Sequence, residues 1–289
     1  MAPQNDTVQK RVSITSFDGV ALQGDAWGLE QDQPVLLLHG GGQTRLAWKN
    51  TARTLAQNGC YAVSLDLRGH GESGWSKDSR YDSSAFIADL ERVVAQFESP
   101  PVVIGASLGG LVSLLFLGET TATRPLAKAL VLVDIATRAE QKGVDRILTF
   151  MQNHHDGFDS IADAGAAVAA YLHHRKPPSV LDGLNNNLRK RQDGRYYWHW
   201  DPAMLLEENL GELSNHQRLN KAAQALTMPV LLIRGSRSDV LTEEIAHEFL
   251  ALVPQANFVD VAGASHMVAG DSNDAFTGVL LEFLNSLKP

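Results

Sequence analysis

Cysteine is almost missing from this chain. Cys60 is alone among 289 residues, so no disulfide can close within the sequence. Its neighbours Tyr61, Ala62 and Val63 mark it as a small apolar residue of a strand, and no tight turn around it would present a catalytic thiol. Positive charge is in deficit, with 25 basic against 33 acidic residues and a net charge of −8. Such a balance leaves no electrostatic footprint for nucleic acid. The densest basic run, Leu188-Arg189-Lys190-Arg191, reads as a solvated helix face. No apolar run approaches the ~20 residues needed to cross a bilayer. The first residues, Met1-Ala2-Pro3-Gln4-Asn5-Asp6, are polar and carry no apolar signal core. The expectation is a soluble cytoplasmic protein with no membrane partner. Internal repeats and low-complexity tracts are also lacking.

What is present is an α/β rhythm. Val12 and Ile14 alternate in strand fashion, Asp18-Gly19 makes a turn, and Val20 and Leu22 resume the alternation, which predicts an antiparallel hairpin. Four continuous apolar runs follow: Val35-Leu36-Leu37-Leu38, Tyr61-Ala62-Val63-Ser64-Leu65, Val102-Val103-Ile104 and Ala129-Leu130-Val131-Leu132-Val133. Continuous runs imply strands buried on both faces, as in a parallel sheet covered by helices. Residues 46–57 and 86–97 have helical spacing between them. The rhythm stops after Asp134. Residues 135–225 hold no strand-like run; they hold an alanine-rich helix at 161–171, a loop at Lys176-Pro177-Pro178 and an aromatic cluster, Tyr196-Tyr197-Trp198-His199-Trp200. Strand and helix alternate again from Pro229, with a helix over 243–252, a strand over 257–261 and a helix over 273–287. The fold class predicted is α/β: a mostly parallel, doubly wound sheet built from residues 1–134 and 226–289, interrupted by a helical cap at 135–225.

Gly105-Ala106-Ser107-Leu108-Gly109 fits the G-x-S-x-G pattern, and it lies between an apolar strand and a helical segment. A sharp strand-to-helix turn exposes a serine hydroxyl at the sheet edge, and glycines on either side leave room for it. A serine hydroxyl needs a base, and the base an acid to orient it. Of ten histidines, His266 lies in Gly263-Ala264-Ser265-His266, in the loop after the last strand, on the same sheet edge as Ser107. Asp239, in the loop after the strand ending at Ile233, completes the order Ser107, Asp239, His266. Asp134, at the end of the strand before the insertion, is the alternative acid. His39-Gly40-Gly41-Gly42-Gln43 follows the first buried strand and suits an oxyanion hole made by the N–H groups of Leu108 and Gly41, with Gly42 as the second choice to Gly41. No Lys-Ser/Thr pair or G-x-G-x-x-G supports a phosphate cradle there. His39, ahead of the glycines, reads as structural.

With these motifs in order, the chain resembles the α/β-hydrolase fold superfamily, in its serine-nucleophile, cap-containing branch. Asp66-Leu67-Arg68-Gly69-His70-Gly71-Glu72-Ser73 is similar to the D-x-R-G-x-G-x-S segment of that superfamily, which is architectural and leaves His70 outside the triad. The resemblance implies a cap inserted after the sixth strand and a small carboxylic ester or lactone as substrate, cleaved through an acyl-enzyme with no cofactor and no metal. Carbon–carbon bond hydrolases, cofactor-free perhydrolases and hydroxynitrile lyases share the serine and stay open, as does a small-molecule receptor on a hydrolase scaffold. Ser107 excludes the relatives with aspartate at the elbow. The histidine pairs His154-His155 and His173-His174 lie about 100° apart on a helix and chelate poorly. Trp198 and Trp200 are candidates for the substrate pocket.

Overall fold

The apolar runs form the centre of an eight-stranded sheet in the computed structural model, which describes residues 9–171, 184–266 and 273–288. In chain order the strands are β1 (Gln9–Thr15), β2 (Ala21–Trp27), β3 (Gln33–Leu38), β4 (Cys60–Leu65), β5 (Val102–Ala106), β6 (Ala129–Val133), β7 (Leu188–Lys190), β8 (Tyr196–Trp198), β9 (Val230–Gly235) and β10 (Ala256–Val261). The sheet runs β1-β2-β4-β3-β5-β6-β9-β10. β1 pairs antiparallel with β2, with Ile14 opposite Leu22, and β2 pairs antiparallel with β4. From β4 to β10 every neighbour is parallel.

Alternation of side chains across each strand divides the interior into two cores. Leu36, Leu38, Val103, Leu130, Leu132 and Leu232 face one side. Val35, Leu37, Val102, Ile104, Val131 and Ile233 face the other. The second side is covered by α1 (Lys49–Gln57) and α9 (Asn273–Ser286). The first is covered by α2 (Ser83–Val94), α3 (Leu108–Glu119), α7 (His216–Gln224) and α8 (Glu243–Leu252). Local capping sets several of these starts. Asp82 accepts from Ala85 N at 3.1 Å to open α2, Asn215 from Arg218 N at 3.1 Å to open α7, and Thr242 from Ile245 N at 3.2 Å to open α8.

Between β6 and β9 lie α4 (Gln141–Gln152), α5 (Ile161–Tyr171), the β7–β8 hairpin, a 3₁₀ turn at Pro202–Leu205, α6 (Glu207–Leu213) and α7. One expectation for this segment changes. The run Leu188-Arg189-Lys190-Arg191 is not a helix face: its first three residues are β7, paired with Tyr196–Trp198. The strands are three residues long, too short for a period to show. Arg189 is half-buried, stacks over Trp75 at 5.4 Å and donates to the Gly71 carbonyl. α7 lies flush on α3 as part of the layer over the sheet. The Cβ of an alanine at Gly118 would sit 2.3 Å from the Ala222 carbonyl oxygen. In an unconstrained helix Gly→Ala stabilises. Here Gly118→Ala is expected to cost about 1–3 kcal/mol, because backbone cannot move aside. A urea midpoint that rises instead would show that α3 and α7 do not touch there. The loop at 176–178 and the pair His173-His174 lie outside the described residues. Among the described residues no helix is long and apolar enough to cross a membrane.

The segment from Asp66 to Ser73 is a scaffold. Arg68 is fully buried and donates to both Asp89 carboxylate oxygens at 2.6 and 2.7 Å. Asp66, also fully buried, accepts from the N–H groups of Arg45 (2.6 Å) and Glu72 (2.9 Å) and pairs with the Arg45 guanidinium. A Cβ at Gly71 would lie 2.2 Å from the Asp66 carboxylate, so only glycine lets this turn close.

Candidate active site

Ser107 sits at the junction of β5 and α3 with φ +45° and ψ −115°. A serine gains nothing from the left-handed region by itself, so the surrounding packing holds it there. A Cβ on Gly105 would meet the Gly109 carbonyl oxygen at 2.5 Å, and one on Gly109 would meet the Leu38 carbonyl oxygen at 2.6 Å. Both glycines of the pentapeptide are therefore demanded by backbone approach. The Ser107 N–H donates to the Val133 carbonyl at 3.3 Å, which ties the elbow to the end of β6.

Asp134 is the next residue after Val133. It is fully buried, and its own φ is +53°. One carboxylate oxygen accepts from Gly235 N at 2.7 Å; the other accepts from the Ser238 hydroxyl and lies 2.7 Å from His266 Nδ1. Asp239 is elsewhere. Its carboxylate is exposed and pairs with Arg146 of α4 at 2.7 Å. The expected partnership of Asp239 with His266 is thus replaced by Asp134 with His266. The loop after β9 turns Ser238 inward, where its hydroxyl donates to Asp134 and accepts from Val240 N and Leu241 N, and the next side chain must then point out. Ser238 carried no signal in the sequence, because a serine in a loop is commonplace.

The loop after β3 presents its amides unequally. Gly40 N–H is taken by the Gln43 side chain at 3.0 Å, and Gly42 N–H by His70 Nε2 at 3.1 Å. Among hydrogen bonds between described residues, neither Gly41 N–H nor Leu108 N–H has an acceptor. The Leu108 amide opens helix α3, where the first N–H groups lack an intrahelical partner. Gly41, Ser107 and Leu108 line one cavity of about 270 Å³, whose walls include Phe86, Leu111, Ile147, Met151 and Leu213. Gly42, the second choice for an oxyanion donor, has its N–H committed to His70.

Three buried histidines frame this loop. His39 accepts from Leu67 N at Nε2 (3.0 Å), so its Nδ1 donates to the Gly40 carbonyl (2.8 Å). His70 accepts at Nε2 and donates from Nδ1 to the Arg68 carbonyl at 3.0 Å. His199, from the inserted segment, accepts from Gly71 N at Nδ1 (2.8 Å) and donates from Nε2 to the Gly42 carbonyl (3.2 Å). Each ring is thus set as a neutral tautomer. Burial lowers all three: His39 and His199 to about 3, and His70 well below its usual value. The structural role expected of His39, and the exclusion of His70 from the reacting groups, fit these contacts.

Trp198 and Trp200 stack at 4.9 Å and are buried, but they line a second cavity, of about 400 Å³, with Tyr197, His154, His155 and Arg191. Met151 and Leu205 form walls of both cavities.

A model of the Alpha/beta hydrolase family matches residues 35–279, the greater part of the chain. The chain belongs to this family. Among curated relatives, an esterase of Mycobacterium tuberculosis is 27% identical over 280 residues, covering 92% of this chain and 87% of that protein. A probable protein phosphatase methylesterase of Caenorhabditis elegans is 26% identical over 170 residues; the match spans 57% of this chain and less than half, 46%, of that protein. Among solved structures, an E-2-(acetamidomethylene)succinate hydrolase superposes with a TM-score of 0.83 at 19% identity, covering 96% of this chain and all of that one, a likeness of fold alone.

Proposed function

We propose that this α/β hydrolase cleaves a carboxylic ester or lactone through an acyl-enzyme formed on Ser107. The observation that carries the reading is the convergence at one sheet edge. A serine held in the left-handed region lines a cavity with two amides that have no acceptor among the described residues; its own N–H is tied to Val133, and the next residue, Asp134, holds His266 through a buried carboxylate. Asp134, as a carboxylate, only accepts, so His266 carries its proton on Nδ1 and offers the Nε2 lone pair. His266 Nε2 takes the Ser107 proton as the hydroxyl oxygen attacks the ester carbonyl carbon. The N–H groups of Leu108 and Gly41 stabilise the oxyanion. The imidazolium returns the proton to the departing alcohol. Water, deprotonated by the same nitrogen, then releases the acid. No step needs a metal or cofactor. The segment between β6 and α7 acts as a cap, and the aliphatic walls of the 270 Å³ cavity suit an apolar acyl group. The relation to an esterase over nearly the whole chain supports the same class.

The test joins a screen of p-nitrophenyl esters of two to twelve carbons and simple lactones with labelling by a fluorophosphonate. Turnover of at least one ester or lactone, and a label on the peptide carrying Ser107, are expected. A label on another residue, or efficient release of a product other than acid and alcohol, would remove the ester-hydrolase reading. Tight binding of an ester with kcat/KM far below about 10⁴ M⁻¹s⁻¹ would favour a receptor.

A further inference from the structure

Gly41 donates well only if its N–H points into the cavity, and glycine supplies no side chain to hold it there. Two peptide planes do so instead. The peptide between Gly40 and Gly41 is planar and trans, so its carbonyl and its N–H point in opposite directions. The Gly40 carbonyl is held by two donors, His39 Nδ1 at 2.8 Å and Gln43 N at 3.1 Å. Gln43 N–H belongs to the next plane but one, the peptide between Gly42 and Gln43. The carbonyl of that same plane is held by His199 Nε2 at 3.2 Å. Fixing the Gly42 carbonyl therefore aims Gln43 N–H at the Gly40 carbonyl, and the Gly40 carbonyl aims Gly41 N–H. Gly42 itself is at φ +72°, with Met151 and Trp200 within 3.5 Å of where a Cβ would stand.

From this chain of contacts we infer that His199 is a positioning residue for the oxyanion site, through which the seating of the cap sets the direction of the Gly41 amide. His199 touches no reacting atom. It is buried on the cap side and anchored to the scaffold by Gly71 N at 2.8 Å. With the cap displaced, the Gly42–Gln43 peptide loses the donor on its carbonyl and is free to turn. Its N–H can then leave Gly40, whose carbonyl keeps His39 Nδ1 alone, and the Gly41 amide is directed less tightly. The hole is held by both donors only under a seated cap. This inference rests on the assignment of Gly41 as an oxyanion donor.

The two nitrogens of His199 do different work, and substitution separates them. Gln places an amide nitrogen near the position of Nε2 and can donate to the Gly42 carbonyl. Asn places its amide near Nδ1 and can serve Gly71 N alone. His199→Ala is expected to lower kcat for the best p-nitrophenyl ester by about 10–10²-fold with KM within about twofold, less than the full loss of an oxyanion donor. His199→Gln recovers kcat to within about threefold of the parent, and His199→Asn remains as low as alanine. Amide hydrogen exchange in the peptide covering residues 39–44 gives a readout independent of turnover: faster in the Ala and Asn variants, unchanged in Gln. The inference is overturned if His199→Ala keeps its kcat, if Asn rescues as well as Gln, or if exchange at 39–44 is the same in all three. Should alanine fail to fold, the Gln and Asn pair alone decides. If the parent protein turns over no ester, the ester-hydrolase reading fails and the exchange data still judge the role of His199.

Discussion

Asp134→Asn is expected to lower kcat on the best ester about 10⁴-fold, while Asp239→Asn leaves it within about threefold. The two positions differ in what their carboxylates touch. Asn at 134 keeps the shape, but with its oxygen accepting from Gly235 N it presents an N–H₂ where His266 and Ser238 now share one carboxylate oxygen. Facing a donor, His266 adopts the other tautomer, with its proton on Nε2, and a protonated Nε2 cannot receive one from Ser107. The imidazolium formed in the transition state also loses its counter-charge. Asp239→Asn removes an exposed pair with Arg146, worth at most about 1 kcal/mol. Ser107→Ala supplies the floor, a loss on the order of 10⁴–10⁶. Steady-state kinetics with matched melting temperatures decide. Equal losses at 134 and 239, or a larger loss at 239, would place the acid where the chain order first suggested.

The second large effect is on stability. His39, His70 and His199 are neutral in the fold, with His39 and His199 lowered to about 3 and His70 also lowered by burial. In the unfolded chain each binds a proton around pH 6.5. Between that value and about 3 the unfolded state therefore holds up to three more protons than the folded one. Stability rises with pH across this window and is lost as pH falls. The limiting slope is about 4 kcal/mol per pH unit for three groups. By pH 5.5 the loss relative to pH 8 is about 4 kcal/mol, a large part of the 5–15 kcal/mol typical of a folded domain. Urea unfolding at pH 8, 7, 6 and 5.5 should show the midpoint falling steeply below pH 6.5. A midpoint flat over that range would mean that the rings are protonated or solvated in the fold.

The sheet was legible because burial on both faces writes itself as unbroken aliphatic runs, as at Val35–Leu38 and Ala129–Val133. The elbow was legible because Gly105 and Gly109 are required by backbone contacts that no other residue permits. The carboxylate that meets His266 was not. Asp134 directly follows β6 and Asp239 lies in the loop after β9, on the same edge, and only the inward turn of Ser238 separates them. The β7–β8 hairpin hid because three residues per strand give no period. The partnership of His199 with Gly42 joins residues 157 apart in the chain, and a histidine within an aromatic cluster announces packing before it announces a hydrogen bond.

The inserted segment leaves the sheet just after Asp134 and returns before β9, so every group assigned to the reaction lies in the frame around it. Such an arrangement invites transplantation: a foreign cap could be spliced between residues 135 and 215 without touching serine, histidine or acid. The Gly42 carbonyl sets the condition for success. A graft that packs well but brings no donor to that oxygen is expected to give a folded protein with Ser107, Asp134 and His266 undisturbed and a poor catalyst, and restoring a single side chain at the graft's inner edge to repair it.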